Sequence, residues 1–485
     1  MNFQTGCDNT NLTMLADFYE FTMGNGYVEN GMENQIVYYD MFFRRVPDDG
    51  GFAILAGLHQ VIDYLSNLRF TEEDIEFLRS KNMFGERFLN YLSNFKFECD
   101  VWAIPEGTPV FPQEPLVIVR GPAPQAQLLE TMILLTINHQ TLIATKANRI
   151  VRAAKGRPVV EFGSRRAQGF ASANYGARAS YIGGCLGTAN TLADRDYGVP
   201  AAGTMAHSWV QMFPSEIDAF RAYARVYPDS CFLLVDTYNV LKSGLPNAIK
   251  VFNEELLPKG YRPKGIRIDS GDMAYLTKAA RKVLDEAGFE DCGIMISSGL
   301  DEYVIENLLL QGACVNSFGV GERLITSQSE PIFGGVYKLT ALEKDGKMVP
   351  TIKISENVEK ITTPGFKQVH RFFDKNTNKA LADVVTLFDE VIDESKPYEL
   401  FHPIHTWKRK TITNYYTKPL LVQVFNNGER IYDSPSLLDI RNHTANSLDG
   451  FWEEIKRIEN PHFYVVDLSE KLWKVKNNLL SNTPH

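Results

Sequence analysis

The sequence predicts an α/β fold built on a parallel sheet, and two observations predict it. Short apolar runs recur through the middle of the chain: PVVEFG (158–163), GVPAAGT (198–204), CFLLVDT (231–237), GIRIDSG (265–271), IMISSG (294–299) and VNSFGVG (315–321). Helical patterns lie between most of them, and strand–helix alternation of this kind marks parallel strands joined by crossover helices. The second observation is that these runs end in polar groups, and parallel α/β sheets collect functional groups at the carboxyl ends of their strands. A barrel and a doubly wound sheet both satisfy the pattern. At 485 residues the chain exceeds one ordinary core, so two domains, or a barrel with large additions, are expected.

Each element has its own signal. From Thr13 a helix is expected, capped by Thr13 and stopped by Gly31. Asn34 to Pro47 is β-branched and aromatic, hence a strand. GFAILAGLHQVIDYLSNL reads as a helix ending near Leu68, and TEEDIEFLRS starts another with acidic residues in its first turn. Residues 97–119 interleave prolines with short apolar pieces, which suits short strands. A long apolar helix follows, with Gly156 as its stop. Between the central strands, SEIDAFRAYARVYP carries a capping-box start, DMAYLTKAARKVLDEAG stops at Gly288 and DEYVIENLLLQG stops at Gly312. The tail mixes strands (KPLLVQVF, HFYVVDLS) with a helix, SLDGFWEEIKRI.

Composition removes several function classes. Hydrophobic residues make up 44% and charged residues 22%, ordinary for a globular protein. The formal charge is −9 with no long Lys/Arg run, which argues against nucleic acid as a partner. Local arginines can still hold small anions. The six cysteines, among them Cys7, form no C-x-x-C pair; buried thiols in a reducing compartment are expected. No apolar run reaches membrane-spanning length, and the polar start, MNFQTGCDNT, has no signal-peptide core, so the expected location is the cytoplasm.

The strand ends carry the candidate chemistry. Asp236 and Asp269 each close an apolar strand. They are either caps of the following helices or carboxylates for sugar hydroxyls, a cation or developing positive charge. Arg165 and Arg166 follow EFGS, and Arg267 sits inside an apolar strand; such an arginine needs an internal carboxylate or an anionic ligand. Ser298, Gly299, Gly319 and Gly321 lie where late-strand loops bind phosphate through backbone N–H groups. His207, in GTMAHSWV, falls between a strand expected to end near Gly203 and the helix expected at Ser215, hence on a rim loop. His402 and His405 (HPIH) make a weak metal pair without a third ligand. GVGERL is no dinucleotide fingerprint, because Leu324 stands where a third glycine is needed, and no Walker A or H-E-x-x-H pattern occurs.

Six motifs taken together are more specific. DFYEFTM, EFGSRRAQG, GTMAHSWV, LLVDTY, GIRIDSGD and GGVYKL follow one another at spacings that resemble the nicotinate phosphoribosyltransferase family, from about Leu12 to NPHFYVVDLS. The resemblance implies an irregular, TIM-like α/β barrel (126–340) with a second α+β domain formed by residues 1–125 and 341–485. It implies transfer of a phosphoribosyl group from 5-phosphoribosyl-1-diphosphate to nicotinate, in NAD biosynthesis. ATP hydrolysis is coupled through a phosphohistidine at His207, Mg²⁺ is required, and homodimers share active sites. Tyr19, Thr204 and Arg267 are carried over as nicotinate contacts, with Arg165 a second candidate for its carboxylate. Asp269 or Asp236 suits the oxocarbenium-like charge, and Ser298, Gly299, Gly319 and Gly321 the phosphosugar. The family often has Thr at the position of Glu322. An anion there repels phosphate, so either Glu322 turns away or the Gly321 backbone does the binding. Two other readings compete: transfer to nicotinamide or another pyridine, and a non-catalytic phosphosugar or nicotinate sensor.

Overall fold

The computed structural model describes residues 11–357 and 360–482; Cys7 lies outside them. The chain forms two compact units, one of residues up to Leu142 together with those from Ile332 onward, the other Ile143–Pro331. The boundaries expected near 125 and 340 therefore shift. The helix Glu130–Ala153 carries the chain past the first one, and the strand Gly335–Lys344 belongs to the first unit because it pairs with Ile36–Phe43.

The first unit is built on an antiparallel sheet. Ile36–Phe43 is flanked by Gly335–Lys344 and Val117–Pro122, and the sheet continues through Asp100–Ala103 to Val422–Asn426. Seven of the eight residues of IVYYDMFF are buried, so the strand has no solvent face. Its one charged residue, Asp40, is tolerated because Lys367 Nζ lies 2.8 Å away. A second sheet orders Tyr415–Pro419, Lys367–Asp374, Ala380–Leu387 and Val466–Leu468.

Several expectations shift locally. The first helix is Phe18–Glu29, preceded by Asp17 and not by Thr13. The segment expected as one helix from Gly51 begins with the strand Ala53–Ile54, and Leu58–Asn67 alone is helical. SLDGFWEEIKRI is not a helix: its first residues close Leu437–Asp449, and Gly450 ends it. The Thr71–Asp74 capping box, by contrast, opens Glu72–Ser80 as the acidic first turn suggested.

The second unit holds the parallel sheet. Its strands run in the order Gly187–Thr188, Val159–Glu161, Ser317–Val320, Gly293–Ser297, Gly265–Ile268, Phe232–Leu234, all parallel. Five coincide with apolar runs. The sixth run, 198–204, forms only an isolated bridge between Ala201 and Thr188, and the strand Gly187–Thr188 takes the place beside Val159–Glu161. Among the described residues no ladder joins the two edges of this sheet. The structure thus shows a mixed α/β fold with a parallel sheet. Helix stops fall where expected, with Gly288 and Gly312 at φ of 80° and 77°.

Cys99, Cys185, Cys231 and Cys292 are buried and Cys314 is half-buried, and none of the five forms a disulfide among the described residues. No helix among the described residues is long and apolar enough to cross a membrane.

Glu20, from the DFYEFTM motif, is fully buried. The Thr131 N–H and hydroxyl both donate to its Oε1. Burial raises its pKa to about 7; the Thr131 donors lower it, and the charges of Glu130 and Asp17 push it up further. The folded state thus favours the protonated acid. Its contribution to stability is complete below the ordinary Glu range near 4.5 and is lost as pH rises toward 7. Glu20→Gln should flatten this fall. In urea unfolding at pH 5 and pH 8, the wild type should lose about 1–2 kcal/mol more than the variant over the interval, after allowance for solvent screening. Parallel profiles would show that Glu20 does not titrate there.

Candidate active site

Strand register decides which rim residues meet. Leu234 pairs with Arg267, and the Val235 N–H donates to the Arg267 carbonyl (3.1 Å), so the ladder runs on toward Asp236 and Asp269. Ile268 pairs with Ile296, which brings Ser297 level with Asp269. Alternation along the strand puts Arg267 and Asp269 on one face. The sequence therefore delivers Asp236, Asp269, Arg267 and Ser297 to one patch at the carboxyl ends.

Asp236 ties this patch to the histidine. Its Oδ1 lies 3.1 Å from His207 Nε2, while its Oδ2 accepts the Asp269 N–H (3.0 Å) and the Ser270 hydroxyl (2.6 Å). The Asp236 side chain is 2% exposed and that of His207 40%, so a buried anchor holds an accessible ring. A carboxylate accepts and does not donate. In the neutral imidazole the shared proton sits on Nε2, which leaves the lone pair on Nδ1. His207 is the first residue of a short helix, His207–Gln211, and not part of a loop as expected. Ser215 caps the next helix, Glu216–Val226, as its motif suggested.

Arg267 forms the other half. Its Nε donates to Ser297 Oγ (2.8 Å), Nη2 to Asp269 Oδ1 (2.9 Å) and Nη1 to Thr204 Oγ1 (3.3 Å). The Ser297 hydroxyl also donates to Asp269 Oδ1. The guanidinium lies 5.5 Å from the centre of the Phe162 ring, a cation–π contact. Burial pushes the Asp269 carboxyl up, but Ser297, Arg267 and the nearby His207 outweigh it and hold it below its ordinary range. Arg267 is thus both internally paired and partly accessible, at 14% side-chain exposure. The capping alternative for the two aspartates fails, because Asn239 caps the helical turn after Asp236 and Asp272 caps Met273–Glu286.

This network of one nucleophile-capable ring, two carboxylates and an arginine sits in a chain that three family models cover. They are the N-terminal domain of nicotinate phosphoribosyltransferase (residues 14–138), the nicotinate phosphoribosyltransferase family (158–389) and its C-terminal domain (366–476). The nicotinate phosphoribosyltransferase of Bacillus subtilis is 44% identical over 97% of this chain and 96% of its own. The chain belongs to the nicotinate phosphoribosyltransferase family. The enzyme of that name from Homo sapiens is 32% identical, over 96% of both chains. A crystal structure of the human protein superposes with a TM-score of 0.84 at 31% identity, covering 96% of this chain and all of that one. A nicotinate-nucleotide pyrophosphorylase from Pyrococcus furiosus, at 23% identity and a TM-score of 0.71, covering 92% and 98%, shares the fold.

The remaining candidates fall outside the network. Arg165 and Arg166 lie on an exposed turn, Ser164–Arg166, after the Val159–Glu161 strand. Ser298 and Gly299 follow Gly293–Ser297 in the left-handed region, with φ of 79° and 62°. For Gly319 the structure supplies a packing reason: an added Cβ would lie 2.5 Å from the Phe162 ring. Gly321 precedes the short helix Glu322–Ile325, and the Glu322 side chain turns toward Arg166. Tyr19 is on the helix Phe18–Glu29 of the first unit, where burial and the charge of Glu130 raise its pKa. His402 Nδ1 accepts the backbone N–H groups of Ile404 and His405, so the HPIH histidines build a turn. No group of three metal-ligating side chains occurs among the described residues.

Sequence reasoning did not single out Ser297, Phe162 or the buried Glu161. Glu161 accepts the Gly163 N–H and the Thr188 hydroxyl (2.6 Å) and so shapes the turn leading to Arg165. Its position at the end of an apolar strand, like that of Asp236 and Asp269, was the available signal. Gly319→Ala should destabilise the fold by about 1–3 kcal/mol, read as a shifted urea midpoint at unchanged slope. An unshifted midpoint would show that Phe162 yields freely.

Proposed function

We propose that the chain transfers the phosphoribosyl group of 5-phosphoribosyl-1-diphosphate to nicotinate, giving nicotinate mononucleotide and pyrophosphate in NAD salvage, and that ATP hydrolysis drives this through phosphorylation of His207. The observation that carries the reading is Asp236, which links His207 to the Asp269–Arg267 pair through both of its oxygens. In the transfer, the bond from the ribose carbon to pyrophosphate breaks, and a bond to the pyridine nitrogen forms. Positive charge grows on the sugar, and Asp269, held ionised by Ser297 and Arg267, is the carboxylate that stabilises it. Arg267, beside Thr204 and Phe162, suits the carboxylate of a flat aromatic acid; a neutral amide would offer its guanidinium no charge beyond that of Asp269.

His207 attacks the γ-phosphorus of ATP with Nδ1; the bond from that phosphorus to the bridging oxygen breaks and ADP leaves with its electrons, while Asp236 keeps the Nε2 proton and stabilises the cationic ring that results. The added phosphoryl brings roughly two negative charges to the rim, which couples ATP use to phosphosugar binding. Mg²⁺, a hard cation that takes few protein ligands beside substrate phosphates, suits this oxygen-rich rim: Asp269 Oδ2 receives no hydrogen bond from a described residue. Bound there with substrate, it would neutralise the leaving pyrophosphate. We further propose the irregular barrel for the parallel unit, a cytoplasmic location, and a homodimer in which Tyr19 of one chain serves nicotinate in the other.

The direct test is product formation from nicotinate and phosphoribosyl diphosphate, with and without ATP. Nicotinate mononucleotide should form, faster with ATP, and a tenfold preference for nicotinamide would sink the reading. His207→Ala should lose acid-labile label from γ-labelled ATP yet keep slow transfer; equal labelling would remove His207 from the mechanism. Arg267→Ala should raise the KM for nicotinate at least about tenfold, and the KM for the phosphosugar far less. Equal effects on both would place the arginine on the phosphate side.

A further inference from the structure

Arg166 and Glu322 face each other across two neighbouring strand ends. Arg166 closes the turn after Val159–Glu161, and Glu322 follows the adjacent strand Ser317–Val320. The Arg166 Nε to Glu322 Oε2 distance is 3.7 Å, and both side chains are more than half exposed, at 63% and 52%. This is an ion pair without a hydrogen bond, in water, of the kind that holds little energy. The next residue behaves differently. Arg323 donates to Asp301 Oδ2 at 2.6 Å, and Asp301 is itself fixed as the cap of Glu302–Leu310, where it accepts the Val304 N–H. Two consecutive charged residues therefore anchor the start of one short helix in opposite ways: Arg323 rigidly, Glu322 loosely. Arg165, beside Arg166, is exposed and makes no ion pair with a described residue.

We propose that Glu322 is a displaceable stand-in anion. It occupies Arg166 in the ligand-free protein and gives way to the phosphate or diphosphate group of the incoming substrate. This deepens the phosphoribosyl-transfer reading and rests on it. Glu322 then acts as a specificity-determining residue: a ligand must outbid a tethered carboxylate for Arg166. An anion with several adjacent oxygens and more than one charge does so bidentately, while carboxylates and other monoanions do not. Arg323–Asp301 keeps the short helix in place while the Glu322 side chain swings out. A neutral residue at 322 would open Arg166 to any phosphate and remove a like charge from its vicinity.

Calorimetric titration of the full chain with inorganic pyrophosphate tests this, using wild type, Glu322→Gln, Arg166→Ala and the double variant. Glu322→Gln should bind pyrophosphate about three- to fivefold more tightly at low salt, from loss of the competing pair. In the Arg166→Ala background the same change should give less than about a twofold gain, since the competition is then absent. Glu322→Thr, of different size, should reproduce the Gln result. No gain, or an equal gain in both backgrounds, would overturn the proposal, the latter by reducing Glu322 to a general surface charge. Wild type that binds neither pyrophosphate nor phosphoribosyl diphosphate would overturn the underlying phosphosugar reading as well.

Discussion

The rim of the parallel sheet depends on one buried carboxylate with no idle oxygen. Asp236 receives His207 on one side and the Asp269 backbone and Ser270 hydroxyl on the other. The imidazole cannot rotate without breaking its bond to Oδ1 of the same carboxylate whose Oδ2 holds the Asp269 backbone. Register puts Asp236 there: the pairing of Leu234 with Arg267 brings two strand ends level, and two further residues place both aspartates side by side. Two like charges so close require compensation, and Arg267 and Ser297 supply it on the Asp269 side.

That arrangement gives the two carboxylates different tasks. Asp269 is held below its ordinary range by its donors and keeps an open oxygen toward solvent, which suits a group that meets developing positive charge. Asp236 is sealed and serves as an orienting group. The Asp269 N–H donates to the Asp236 carboxylate, so a change at the histidine is felt at the sugar side without a long relay. In the proposed reaction this is the physical route by which ATP use reaches the transfer step.

Much of this was legible in the sequence, for identifiable reasons. Apolar runs of strand length with polar ends announced five of the six parallel strands and both aspartates. The segment 198–204 did not become a strand, since Pro200 lacks an N–H and Ala201 alone bridges, while Gly187–Thr188 was too short to show. The start at His207 was hidden because His207–Gln211 is a five-residue helix whose cap residue, Ala206, makes no side-chain cap. Ser297 escaped notice because a serine at a strand end is common, and its role emerges only when register sets it beside Asp269. Composite helices such as SLDGFWEEIKRI failed at Gly450, where a local stop overrode the apolar spacing.

The central claim is that Asp236 fixes the tautomer of His207 and so selects the nitrogen that reacts. Phosphorus NMR of the ATP-treated protein, with nitrogen-labelled histidine, reads that choice directly through the phosphorus–nitrogen coupling. The account predicts a phosphoryl group on Nδ1, with Nε2 still protonated toward Asp236. A phosphoryl group on Nε2 would contradict it, because that nitrogen could form the bond only by leaving the carboxylate on which the whole rim is built.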